Sequence, residues 1–126
     1  MNTKLKYADI TGKIIGASLE VHKFLGNGFQ EVIYQRALAY ELRMAQLEFA
    51  REIEQEIFYK DLEKPLGTRR ADFIVEGKVL VELKAAVALE DVHTAQVLNY
   101  LKAYHFEVAL LINFGSKSLD FKRIVL

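Results

Sequence analysis

Arg70-Ala71-Asp72-Phe73-Ile74-Val75-Glu76-Gly77-Lys78-Val79-Leu80-Val81-Glu82-Leu83-Lys84 is the stretch from which the rest of the chain can be read. Two β-rich runs flank a Glu76-Gly77-Lys78 turn signal, the pattern of an antiparallel hairpin. In the second run Val79, Val81 and Leu83 share one face, while Leu80, Glu82 and Lys84 share the other. The parity of the turn settles where Asp72 belongs. A two-residue turn pairs Asp72 with Val81 and places it opposite Glu82. A three-residue turn, with Gly77 at positive φ, or a bulge, brings Asp72, Glu82 and Lys84 to one face and leaves Ala71, Phe73 and Val75 with the apolar face. The second arrangement separates polar from apolar side chains far better and is the one expected.

Two carboxylates and a lysine on one face suit a Mg²⁺ site for phosphodiester hydrolysis. Hard oxygen ligands hold such a cation, and a lysine beside them can orient a water or offset developing charge. A solvated hairpin with the same three residues is the bland alternative, because D-x₉-E-x-K is a weak pattern by itself.

Working outward, 126 residues make one domain over residues 1–126 with room for a real core. Seventeen basic residues balance seventeen acidic ones, which argues against a strongly basic nucleic-acid coat but leaves room for a local patch. Cysteine is absent, which excludes disulfides and thiolate metal sites. No apolar run is long enough to span a membrane, and no basic-then-apolar leader opens the chain, so a cytoplasmic protein without membrane contact is expected.

Residues 1–6 are a polar start expected to fray. Ile10, Ile14, Ala17, Val21 and Phe24 mark a first helix, ended by Gly26. A second helix is expected from Phe29 to Gln46, with Ile33, Ala37, Tyr40 and Met44 as its stripe and Tyr34, Leu38 and Leu42 widening it. Glu52 to Lys60 reads as an edge strand guarded by its glutamates. A loop over Asp61 to Thr68 leads into the hairpin, where adjacent Arg69 and Arg70 point to opposite faces. Glu90-Asp91 caps a third helix to Tyr104, with Val92, Ala95, Leu98 and Leu101 on its buried side and Gln96 and Tyr100 sharing another. Val108 to Ile112 suits a strand buried on both faces, and Leu119 to Leu126 a closing strand. The expected order is α-α-β-β-β-α-β-β.

The whole chain resembles the small bacterial and archaeal GxxExxY proteins. Gly28-Phe29-Gln30-Glu31-Val32-Ile33-Tyr34 matches the name motif, and Glu20-Val21-His22 the preceding helix. Arg70-Ala71-Asp72-Phe73, Val81-Glu82-Leu83-Lys84, Gln96-Val97-Leu98-Asn99-Tyr100-Leu101 and Leu111-Ile112-Asn113-Phe114-Gly115 complete the match. That family is grouped with the PD-(D/E)XK nucleases, so the resemblance implies an α/β, restriction-endonuclease-like core: a mixed central sheet flanked by helices.

What the resemblance implies is a nuclease dependent on Mg²⁺ or Mn²⁺, acting on nucleic acid and in the first instance DNA. Asp72, Glu82 and Lys84 would be its catalytic signature, with Ala71 standing where the signature has proline. Glu31, Asp72, Glu82 and the Leu83 carbonyl would hold metal. Gln96 and Tyr100 match its Q-x₃-Y element and, with Arg70, would position substrate. His22 is a lower-ranked rival to Glu31, and Tyr34 is read as packed rather than catalytic. His93 and His105 read as helix-end residues, and Lys117, Lys122 and Arg123 as scattered surface charge. Pairing of such nucleases implies a two-fold homodimer. The rival function is a non-catalytic nucleic-acid-binding or regulatory module that keeps the fold.

Overall fold

In the computed structural model the described residues are 6–126, so the polar start lies outside them except for Lys6. The elements are α1 (Ala8–Leu25), α2 (Glu31–Met44), β1 (Phe49–Ile57), β2 (Gly67–Val75), β3 (Val79–Lys84), α3 (Asp91–Tyr104), β4 (Val108–Asn113) and β5 (Asp120–Val125). This is the expected order. The sheet runs β1-β2-β3-β4-β5, so β1 is an edge as its glutamates suggested. β3 and β4 are parallel with α3 as the crossover, and the other neighbours are antiparallel.

Both sheet faces are covered. Phe73, Val75, Val79, Val81, Leu83, Leu110 and Ile112 pack beneath α1 and α2. Ala71, Ile74, Leu80, Ala109 and Leu111 pack beneath Val97 and Leu101 of α3. β4 is buried at all six positions, in keeping with its unbroken apolar run.

The hairpin register pairs Val75 with Val79, Ile74 with Leu80 and Phe73 with Val81, which is the three-residue turn. Glu76 and Gly77 carry φ of 54° and 63°, the sign that tight hairpin turns demand. One residue departs from the expected parity. Ala71 lies on the α3 face, opposite Phe73, so the alternation breaks at Asp72. Across the ladder, Glu52 has a left-handed φ of 52°, and the side chains of β1 switch faces there too: Phe49 packs under α2, Ile53 under α3. The cause is a shared kink in both strands at the Glu52–Asp72 level.

Two helical stripes are rotated from expectation. α2 sends Tyr34, Leu38 and Leu42 into the core, while Tyr40 and Met44 are exposed. α3 buries Val97 and Leu101, while Val92 is exposed. In each helix the row that packs against the sheet holds the inward position: Tyr34, Leu38 and Leu42 in α2, Val97 and Leu101 in α3. Phe24 at the end of α1 also faces solvent.

The α1–α2 turn is tied from inside. The Tyr34 hydroxyl donates to the Gly26 carbonyl at 2.6 Å and accepts from the Phe29 N–H at 3.2 Å, while its ring stacks on Phe114 at 4.7 Å. Gly26 has φ 70° and ψ −169°, a conformation open mainly to glycine. Tyr34 is thus packed and hydrogen-bonded, as its position suggested.

Glycine matters differently at two other places. A Cβ on Gly115 would overlap the backbone of Ala85 and Ala86, whereas one on Gly12 in α1 would meet nothing within 4 Å. Gly115→Ala should therefore destabilise the fold by about 1–3 kcal/mol, while Gly12→Ala should be neutral or stabilising by up to about 1 kcal/mol. Thermal melts of the two variants check this, and equal melting temperatures would contradict it.

Candidate active site

The β2–β3 ladder stops at Phe73–Val81. Continued, it would next pair Ala71 with Leu83, but the Leu83 N–H is taken by a side chain instead, and the Ala71 N–H turns to the β1 side. Leu83 N–H donates to Asp72 Oδ2 at 2.8 Å, and Ala71 N–H donates to the Tyr104 hydroxyl at 3.1 Å. Tyr104 also bonds the Ile53 carbonyl and reaches the Arg69 carbonyl at 3.2 Å, so it closes the kink from the α3 side. In an extended strand the N–H and C=O of one residue point to the same side. The Leu83 carbonyl therefore faces the same gap as the Asp72 carboxylate.

Asp72 is held from a second direction. Its Oδ1 accepts from Gln35 Nε2 at 2.9 Å, and Gln35 Oε1 accepts from Arg51 at 3.5 Å. Gln35 was not singled out from the sequence. The available signal was its place one turn after Glu31 on α2, since residues four apart share a helix face.

Glu82 is buried, and its Oε1 has no hydrogen-bond partner. Burial pushes its carboxyl up to about 9, the Asp72 charge adds to this, and the Asp72 backbone N–H and Lys84 oppose it. A buried carboxylate oxygen without a donor is costly unless a cation or proton completes it. The pair Asp72–Glu82 is therefore suited to receive a hard cation.

Lys84 is half-buried at the end of β3, electrostatically coupled to Glu82 and to Glu31. Glu31 stands in the first turn of α2 with one side exposed. Partial burial raises its pKa first, Lys84 opposes, Asp72 raises it further, and the Ala85 backbone N–H hydrogen-bonds to it. Among the described residues no three His, Asp or Glu side chains are gathered tightly enough to form a metal shell by themselves. Asp72 and Glu82 form the nucleus, and Glu31 stands off from it.

The strand exit that carries Lys84 and Ala85 is clamped. Asn113, fully buried, accepts from Ala86 N–H at 2.9 Å and from Gly115 N–H at 3.1 Å, and donates to the Ala86 carbonyl at 2.9 Å. Phe114 N–H donates to the Lys84 carbonyl at 2.8 Å. With the close approach at Gly115, this fixes the backbone between Lys84 and Glu31.

On the α3 side, Tyr100 is half-buried, its hydroxyl pKa raised by burial and then by the Glu82 charge. Gln96 lies one turn before it, also half-buried. Arg69 sits over the Tyr100 ring, 3.7 Å from its centroid. Arg70 points away and pairs with Glu52 at 3.8 Å and Glu54 at 3.9 Å on the exposed edge. Of the two arginines it is Arg69 that reaches the site, although the sequence had singled out Arg70.

His22 Nε2 bonds the Ser116 carbonyl at 3.0 Å. A carbonyl only accepts, so this nitrogen carries a proton and is not free to ligate. His93 Nδ1 accepts from the Glu90 N–H at 3.0 Å, capping α3, and His105 ends that helix with φ 62°. No helix among the described residues is long and apolar enough to cross a membrane.

No curated protein matches the chain. The crystal structure of SSO0001 superposes with a TM-score of 0.58 at 19% identity, over 74% of this chain and 48% of that one. The likeness is one of fold, and the chain spans about half the length of that solved protein. The profile of the PD-(D/E)XK nuclease superfamily matches residues 8–124, nearly the entire chain with Asp72, Glu82 and Lys84 inside it. The chain belongs to the PD-(D/E)XK nuclease superfamily.

Proposed function

We propose that the protein is a divalent-cation-dependent nuclease of the GxxExxY type that hydrolyses phosphodiester bonds of nucleic acid, DNA first among them, in the cytoplasm. The observation that carries this is the Asp72–Glu82 pair at the ladder break, with a buried Glu82 oxygen that lacks a donor. Asp72, Glu82, the Leu83 carbonyl and Glu31 would hold Mg²⁺ or Mn²⁺. Such a cation, when bound, acidifies a coordinated water and offsets charge on the phosphate. Glu31 is favoured over His22 because hard cations prefer oxygen and the His22 ring is engaged with Ser116.

Lys84 would hydrogen-bond the attacking water or the phosphate oxygens, its ammonium offsetting negative charge as it develops. Tyr100 and Gln96 on α3 would orient the substrate across the gap. Gln35 and Tyr104 are positioning residues: one aims Asp72, the other bridges β1 and β2 at the kink. The competing reading, a binding module without chemistry, draws on the engagement of both Asp72 oxygens. Each oxygen keeps a second lone pair, so the carboxylate remains a usable ligand.

A homodimer fits the surface that the fold leaves uncovered. Ile33, Ala37, Tyr40 and Met44 follow d-a-d-a spacing along α2, Tyr40 and Met44 exposed and Ile33 and Ala37 partly so, with Arg36 and Glu41 at the flanking g and e positions. Two copies of α2 in parallel would place Arg36 opposite Glu41 of the other copy, and the exposed Phe24 of α1 would join the seam.

The direct test is cleavage of a panel of DNA and RNA substrates with Mg²⁺, Mn²⁺ or a chelator. Wild type should cut only with metal, and Asp72→Ala should lose at least about a hundredfold in rate. Binding without cleavage by the wild type would favour the non-catalytic module. For the dimer, Tyr40→Glu should shift sedimentation from dimer to monomer. A wild type that sediments as monomer at micromolar concentration would rule the seam out.

A further inference from the structure

Beside the candidate active site lies a second feature, a cleft of about 650 Å³ between the start of β2 and the outer side of α3. Ile57, Leu66 and Ala103 form its apolar lining, and Thr68, Arg69 and Lys102 supply a hydroxyl and two cations. Neither Arg69 nor Lys102 has a carboxylate partner among the described residues. The exposed Asn99 adds an amide at the rim. Arg69 joins the cleft to the catalytic pair, because its guanidinium lies over Tyr100, which in turn senses the Glu82 charge.

Resting on the hydrolytic assignment above, we infer that this cleft holds the single-stranded nucleic acid adjoining the scissile phosphate. Arg69 and Lys102 take successive backbone phosphates, and an unstacked base lies against Ile57, Leu66 and Ala103 with Asn99 at its edge. The chemistry selects that ligand. Two cations without carboxylate partners, Arg69 from β2 and Lys102 from α3, match a polyanion. An apolar pocket beside them serves a base only when it is out of a duplex stack, since a paired base has its faces covered. The chain is neutral overall, so binding depends on local cations such as these rather than on bulk charge.

The test separates the cleft from the chemistry. Asp72→Asn removes turnover, and anisotropy of a labelled single-stranded oligonucleotide in chelator then reads binding alone. In that background Lys102→Glu should weaken binding about tenfold and reduce the magnitude of the slope of log K against log salt by about one. Lys102→Arg should restore it, and Lys13→Glu on exposed α1 should leave it unchanged. Duplex DNA should compete poorly. Unchanged binding in Lys102→Glu, equal loss in Lys13→Glu, equal competition by duplex or no binding by the parent would each overturn the inference. Lys102-dependent binding by a wild type that never cleaves would keep the cleft and remove the hydrolytic assignment.

Discussion

Everything at the candidate site depends on a ladder that is left unfinished. β2 and β3 are bonded as far as Phe73–Val81, and beyond it the Asp72 side chain takes the Leu83 N–H while the Tyr104 hydroxyl bridges Ala71 to Ile53 of β1. Without these replacements, two buried N–H groups would be orphaned, at about 1–3 kcal/mol each. With them, a carboxylate stands where a carbonyl would be, and the Leu83 carbonyl is turned toward open space. The kink at Glu52 and the face switch of Ala71 belong to the same adjustment. The fold thus keeps the backbone N–H groups of Ala71 and Leu83 bonded while ending the ladder beside Asp72 and Glu82.

The same economy explains the supporting cast. Gln35 reaches down from α2, Tyr104 up from α3, and Asn113 with Gly115 fixes the exit from β3. Three layers therefore meet at one point, and Glu82 is the residue left short. Its burial is destabilising unless something positive completes it, which is how a carboxylate intended for a cation differs from one intended for the core.

Much of this was legible in the residues. Polar and apolar segregation alone selected the three-residue turn, though not the break at Asp72, whose carboxylate is met by Gln35 from α2 and by the Leu83 N–H. The unbroken apolar run of β4 and the glutamate-guarded edge at β1 were equally plain. Ala71 was not, because the alternation rule assumes a straight strand and the kink lies opposite in β1. The stripe on α2 was read correctly as a stripe but turned the wrong way, since periodicity gives two apolar rows and only packing against Phe114 and the sheet chooses Tyr34, Leu38 and Leu42. Arg69 and Arg70 could be assigned to opposite faces but not told apart until Tyr100 took its place. Gln35 and Asn113 received no role from the sequence, because a neutral amide shows its partners only in the fold.

The pH dependence of stability tests the central point most directly. Glu82 is near 4.5 when unfolded and about 9 in the metal-free fold. Below 4.5 the group is protonated in both states and costs nothing. Between 4.5 and 9 the unfolded chain releases a proton that the native state retains, so metal-free stability falls as pH rises, by about 1.4 kcal/mol per unit from this group. Above 9 the loss levels off. Denaturant unfolding of wild type and Glu82→Gln in chelator, from pH 5 to 9, isolates that contribution. Glu82→Gln should remove most of the fall and be the more stable of the two at alkaline pH. Parallel curves for the two proteins would show that Glu82 bears no such burden, and would contradict this expectation.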